Sequence, residues 1–276
     1  MSPGLADLFD LLLFDLDGVV YIGPHAVPGA IAGIRAAHEQ GVRCCYITNN
    51  AARPSSEVVE HLRSLGIQAL PDEVVTSAQA GVSLLTELVP AGSRILAIGG
   101  PGVFAALRER GFVPVESAAD DPAGVLQGIG MDLSWSALAE ATFAITAGLP
   151  WIATNLDATL PTPRGLAPGN GSMVEAVAHA TGRRPDGVGG KPEPALLREA
   201  VARSGSRRPL MIGDRLDTDI AAGNRLGMPT LLVMTGVTSA SELAAAVGVE
   251  VPTYVANDLS CLVAGTSWET LKWLKR

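Results

Sequence analysis

Four short segments of this 276-residue chain place chemistry-bearing residues where apolar runs end. Asp15-Leu16-Asp17-Gly18 closes the run LLLF at 11–14. If the strand continued, Asp15 and Asp17 would lie on one side of it. Two carboxylates that close repel, and both ionise readily only around a cation, for which Mg²⁺ suits oxygen ligands. A solvated turn or the start of a calcium loop would carry the same letters. Thr48-Asn49-Asn50 ends the run VRCCYIT at 42–48 and offers hydroxyl and amide donors that could hold phosphate oxygens. A helix cap uses the same residue types. Lys191 sits in GGKPEP; with 17 arginines and 3 lysines in the chain, it is the only lysine among the first 271 residues. A position that keeps lysine in such a chain suits a compact ammonium. Gly213-Asp214-Arg215-Leu216-Asp217-Thr218-Asp219 follows another apolar run. Asp214 is a candidate metal ligand, while Asp217 and Asp219 also suit a helix N-terminus, which favours negative charge.

The elements that must position these residues read as alternating short apolar runs and Ala-rich amphipathic stretches, the pattern of a parallel sheet covered by helices. Strands are predicted at 11–14, 42–48, 94–99, 112–115, 125–129, 149–154, 210–214 and 230–235. Helices are predicted over 28–40, 54–65, 77–88, 101–110, 134–147, 172–181, 194–204 and 217–226. Beyond 237 the chain reads as a closing helix, a short strand near Tyr254 and a tail, with little functional signal. The Gly/Pro-rich stretch 182–194 reads as a linker or functional loop. In open parallel sheets ligands bind beyond the carboxyl ends of strands, so the polar strand ends point to one site assembled from distant sequence.

A competing pattern is Gly100-Pro101-Gly102-Val103-Phe104-Ala105, which follows a strand, opens a helix and has Glu116 after the next strand. This imitates a dinucleotide-binding fingerprint. Pro101 removes a backbone donor, and no second mononucleotide half is evident. The four histidines show no ligand spacing, no serine or cysteine lies in a nucleophile elbow, and the tryptophans read as packing residues. A net charge of −8 without a basic block argues against nucleic-acid binding. The apolar stretch 8–20 is broken by Asp10, Asp15 and Asp17, so neither a signal peptide nor a membrane span is expected. Three cysteines give no disulfide framework, and a reducing cytoplasm is the simplest setting.

Taken in order, DLDGVVY, ITNN, Lys191 and GDRLDTD resemble the four motifs of the haloacid dehalogenase superfamily of phosphatases. ITNNAARP, TNLDATLPTPRG, PGNGSMVEAV, GKPEP and GDRLDTDI are most similar to its NagD-like, p-nitrophenylphosphatase subfamily, and within it to the actinobacterial glycerol 3-phosphate phosphatase type. The resemblance runs from residue 11 to about 236. It implies an α/β fold: a Rossmann-like core from 1–79 and 186–276, with an inserted α/β cap of the C2 type at 80–185. It implies Mg²⁺-dependent hydrolysis of a small phosphorylated metabolite. Asp15 would be the nucleophile and Asp17 the general acid and base. Mg²⁺ would be held by Asp15, the Asp17 carbonyl and Asp214. Thr48, Asn49 and Lys191 would bind the phosphoryl oxygens, with Asp219 orienting the lysine or metal waters. Asn155, Asp157 and Arg164 in the cap are candidates for facing or shaping the substrate site, and turn chemistry would use the same residue types. The alternatives are phosphotransfer or phosphomutation on the same site, and a non-catalytic ligand-binding module. The apolar composition permits a homodimer, and relatives often self-associate.

Overall fold

The structure is a computed structural model that describes residues 5, 8–162 and 164–263. Along the chain run β1 (Leu11–Asp15), β2 (Tyr21–Ile22), β3 (His25–Ala26), α1 (Ala30–Glu39), β4 (Arg43–Thr48), α2 (Ser55–Ser64), β5 (Val74–Thr76) and α3 (Ser77–Leu85). Then come β6 (Arg94–Ile98), α4 (Pro101–Glu109), β7 (Val113–Val115), β8 (Gly124–Gln127), α5 (Trp135–Thr146), β9 (Trp151–Ala153), β10 (Thr159–Thr162), β11 (Gly165–Pro168) and α6 (Asn170–Thr181). The last described elements are β12 (Gly187–Val188), α7 (Ala195–Ser204), β13 (Pro209–Gly213), α8 (Ala221–Arg225), β14 (Thr230–Val233), α9 (Ala240–Ala245) and β15 (Tyr254–Ala256).

The chain divides into two compact units. The first comprises 1–48, 58–75 and 191–276 and holds a six-stranded sheet in the order β15-β14-β13-β1-β4-β5. β1 pairs in parallel with β13 and with β4, at the centre of that sheet. Every residue of β1 is buried, which is why LLLF is a continuous apolar run and not an alternating one. Phe14 stacks on Tyr46, and the two belong to a core that runs from Leu12 through Leu62 to Leu231.

The second unit comprises 49–57 and 76–190. Its sheet, in the order β12-β9-β8-β6-β7, is also parallel. The expected insertion at 80–185 is narrower than this unit, which also takes in 49–57. The reason is backbone packing: a Cβ at Gly102 would lie 2.4 Å from the Ala51 carbonyl oxygen and 2.5 Å from that of Arg53. The Gly102 N–H also donates to the Ala52 carbonyl at 3.1 Å. The glycines of the dinucleotide-like turn therefore admit another piece of backbone.

Three further differences from the sequence expectations have physical causes. The antiparallel hairpin β10–β11 lies where only turn chemistry was read, because Pro161 and Pro168 disguise its two strands. The helix expected over 217–226 begins as a wider π-type turn over Leu216–Ile220, with the Ile220 N–H reaching back to the Arg215 carbonyl. Trp151 packs in the core, but Trp135 is 83% exposed; Trp268, Trp273 and the rest of the expected tail after 263 lie outside the described residues.

Candidate active site

β13, β1 and β4 are adjacent and parallel, so their carboxyl ends share one edge of the first sheet. Asp15 ends β1, Thr48 ends β4, and Asp214 directly follows β13. All three are buried. Lys191 is only 3% exposed, and its ammonium lies 2.6 Å from Asp15 Oδ1 and 2.7 Å from Asp219 Oδ1. Oxygens of Asp15, Asp214 and Asp219 all lie within 4.8 Å of one another.

The π-type turn puts Asp219 into this group. Its Oδ2 accepts the backbone N–H of Asp214 at 3.2 Å and that of Arg215 at 3.1 Å. Gly213 makes room for it, since a Cβ there would sit 2.1 Å from the Asp219 Cβ. Wider turns of this kind recur at functional sites. Asp217, two residues away, instead points to solvent and pairs with Arg215 at 2.8 Å. That pair holds the Asp217 carboxyl below its usual range.

Burial pushes the Asp15 carboxyl well above the ordinary range; Asp219 and Asp214 add to the rise, and Lys191 opposes it. Burial, then Asp219, pushes Asp214 up to about 6. Burial works against the Lys191 ammonium, but Asp15 and Asp219 outweigh it and raise its pKa. Three carboxylates against one ammonium leave two negative charges in a dry site when all are ionised. Asp214 Oδ2 accepts the Val237 N–H at 2.8 Å, whereas Asp214 Oδ1 is buried with no hydrogen-bond partner among the described residues. The charge deficit and this orphaned oxygen fit a hard divalent cation. Asp219 is the less suited ligand, because the lysine and two N–H groups already engage its oxygens.

Asp17 is exposed and follows the end of β1 by two residues. Gly18 turns the chain with a φ of +85°, its N–H donating to the Tyr21 carbonyl at 2.8 Å. A Cβ at Gly18 would lie 2.6 Å from Asp214 Oδ2, so the glycine of DLDG admits the metal-ligand candidate. Asn49, the next residue after Thr48, belongs to the second unit. Its Nδ2 donates to Asp157 Oδ1 at 3.2 Å and Oδ2 at 3.3 Å, and its carbonyl accepts Asn155 Nδ2 at 2.8 Å and Ser77 Oγ at 2.5 Å. Asn155 Oδ1 accepts the Asp157 N–H at 3.1 Å. With both ends of its buried amide engaged, Asn155 shapes this segment. Arg164 is exposed in the β10–β11 turn, where its backbone N–H donates to Thr162 Oγ1 at 3.2 Å.

Sequence reasoning missed the Val237 N–H, in a stretch read as carrying little function. A backbone donor has no residue-type signature; the only signal was a glycine, Gly236, after an apolar run.

Comparison with known proteins agrees with this geometry. The haloacid dehalogenase-like hydrolase family matches residues 12–113, and a second, HAD-hydrolase-like family matches 188–262. The chain is 46% identical over 258 residues to the D-glycerol 3-phosphate phosphatase of Mycobacterium tuberculosis, covering 94% of this chain and 72% of that protein. It is 37% identical over 233 residues to an acid sugar phosphatase of Staphylococcus aureus, covering 84% of this chain and 88% of that one. Among solved structures, the M. tuberculosis glycerol phosphate phosphatase in complex with magnesium superposes with a TM-score of 0.93 at 44% identity, covering 99% of this chain and 82% of that chain. A 4-nitrophenylphosphatase from Thermotoga maritima gives 0.87 at 29% identity, covering 95% and 99%.

Proposed function

Because the chain belongs to the haloacid dehalogenase-like hydrolases, we propose that it hydrolyses a small phosphomonoester through an aspartyl-phosphate on Asp15. The observation that carries the reading is the buried group of Asp15, Lys191, Asp214 and Asp219 at adjacent strand ends. The Asp15 carboxylate attacks phosphorus in line; the P–O bond to the leaving group breaks, and Asp17 gives the departing alkoxide its proton. Asp17 then takes a proton from the water that cleaves the acyl phosphate, which releases inorganic phosphate and restores Asp15. Lys191 opposes the rise that burial causes in the pKa of the Asp15 carboxyl and supplies a positive charge for the phosphoryl oxygens. Thr48 and Asn49 belong to the same phosphoryl-binding set, with Asp157 orienting the Asn49 amide. Asp219 holds Lys191 in place.

Asp15, the Asp17 carbonyl and Asp214 would hold Mg²⁺, whose charge, when it is bound, would offset carboxylate–phosphate repulsion and stabilise the transferring group. The name of the M. tuberculosis relative makes glycerol 3-phosphate the first substrate to test. Substrate choice is assigned to the second unit, acting as the cap, with Arg164 and Asp157 as the residues to vary. No described helix is long and apolar enough to cross a membrane. The three cysteines are free and buried, which supports a reducing, cytoplasmic setting.

The test is phosphate release from glycerol 3-phosphate, phosphoglycolate, pyridoxal phosphate and nucleoside monophosphates, with Mg²⁺ or with EDTA. Release that needs the cation, with one substrate clearly ahead in kcat/KM, is expected. A folded protein that releases phosphate from none of them overturns the reading.

A further inference from the structure

We propose that residues 235–238, which follow β14, form a strap that presets the Asp214 carboxylate for its cation, with the Thr235 hydroxyl as its latch. The inference rests on Asp214 being a cation ligand. The strap grips Asp214 twice: the Val237 N–H donates to Oδ2 at 2.8 Å, and the Thr238 N–H donates to the Asp214 backbone carbonyl at 3.3 Å. Oδ2 is thereby committed, and Oδ1 is left as the buried oxygen without a hydrogen-bond partner among the described residues. A carboxylate held this way offers one defined atom.

The strap can lie this close because residue 236 has no side chain. A Cβ at Gly236 would sit 1.9 Å from Asp214 Oδ2. Gly18 approaches the same oxygen, at 2.6 Å from the position of its own absent Cβ. The carboxylate is thus confined between two glycines from segments more than 200 residues apart. Thr235 Oγ1 joins those segments by donating to the Gly18 carbonyl at 2.6 Å. Gly18 is the neighbour of Asp17, so one hydroxyl ties the strap to the turn that carries the proposed acid. Thr235, Gly236 and Val237 are positioning residues here, and act through Asp214.

Groups that hold ligating side chains commonly change metal affinity by about 10–100-fold when removed. The experiment is calorimetric titration of the metal-stripped full chain with Mg²⁺ alone, for wild type, Thr235→Val, Thr235→Ser and Gly236→Ala, with melting temperatures alongside. Valine keeps the shape of threonine and removes the donor. The expected result is Mg²⁺ binding weakened about 10-fold in Thr235→Val, near wild type in Thr235→Ser, and weakened at least as much in Gly236→Ala, whose Cβ must displace the carboxylate. Mg²⁺ affinity within twofold of wild type in both Thr235→Val and Gly236→Ala overturns the inference, even if their melting temperatures fall. A wild type that takes up no Mg²⁺ removes the cation reading and this inference with it, so the two failures are told apart by the wild-type titration.

Discussion

At the carboxyl ends of β1 and β13 and beside them, the first unit buries Asp15, Asp214, Asp219 and Lys191. At the carboxyl ends of β6, β8 and β9, the second unit has Gly99, Gly128 and Thr154, followed by Asn155. Both sheets are built on parallel strand pairs, and both have glycines close to strand ends. In the second unit those glycines are met by backbone: the Gly100 N–H donates to the Ile129 carbonyl at 2.9 Å, and a Cβ at Gly130 would fall 2.8 Å from the Gly99 carbon. Buried amides do the rest, Asn170 Nδ2 donating to the Asn155 carbonyl at 2.7 Å. The difference teaches that topology offers a crevice but does not make a site. What makes one is buried charge left in deficit, a condition that packing alone would select against.

The largest way to break the comparison is Asp15→Asn, which removes the proposed nucleophile but keeps the shape. Activity should fall by about a thousand-fold or more, as for other covalent nucleophiles. The melting temperature of the metal-free protein should hold or rise, because a buried like charge is gone; circular dichroism with phosphate release checks both. Lys191→Arg comes next. A planar guanidinium cannot replace a compact ammonium shared by two carboxylates 2.6 and 2.7 Å away. A loss of about a hundred-fold in kcat/KM is expected, and a fully active arginine variant would show that charge alone suffices.

Much of this was readable because the site is written in residue types that a folded chain rarely buries: carboxylates after LLLF and LMI, and a lone lysine among arginines. The parallel sheet was readable because β1 is buried along its whole length, which makes Leu11 to Phe14 a continuous apolar run. Other features left little trace. The role of Asp219 depends on a π-type turn whose letters also spell an ordinary helix start. The assignment of 49–57 to the second unit depends on backbone contacts at Gly102. The Asn49–Asp157 link joins residues 108 positions apart, a separation at which one sequence shows no pairing.

Smaller tests probe the second unit. Gly102→Ala brings a Cβ against two carbonyl oxygens, at 2.4 and 2.5 Å. It should cost about 1–3 kcal/mol, the range for overpacking, read by urea unfolding. Wild type should give no spectral change with NADH, since backbone already fills that turn. Asn155→Leu leaves the Asn49 carbonyl and the Asp157 N–H each one partner short; a cost of about 1–2 kcal/mol and a fall in kcat/KM far below that of Asp15→Asn are expected. The smallest effect should come from Asp217→Ala, which removes only an exposed pair with Arg215. Stability should change by about 0–1 kcal/mol with kcat unaltered, in contrast to its neighbour Asp219.

The most direct measurement is to quench the enzyme in acid during turnover of the best substrate in the phosphomonoester panel with Mg²⁺ and locate the phosphoryl group by peptide mass spectrometry. The account predicts phosphate on Asp15, absent with EDTA and absent in Asp15→Asn, which also does not turn over. A phosphoryl group on another residue, or steady turnover by Asp15→Asn, would contradict it.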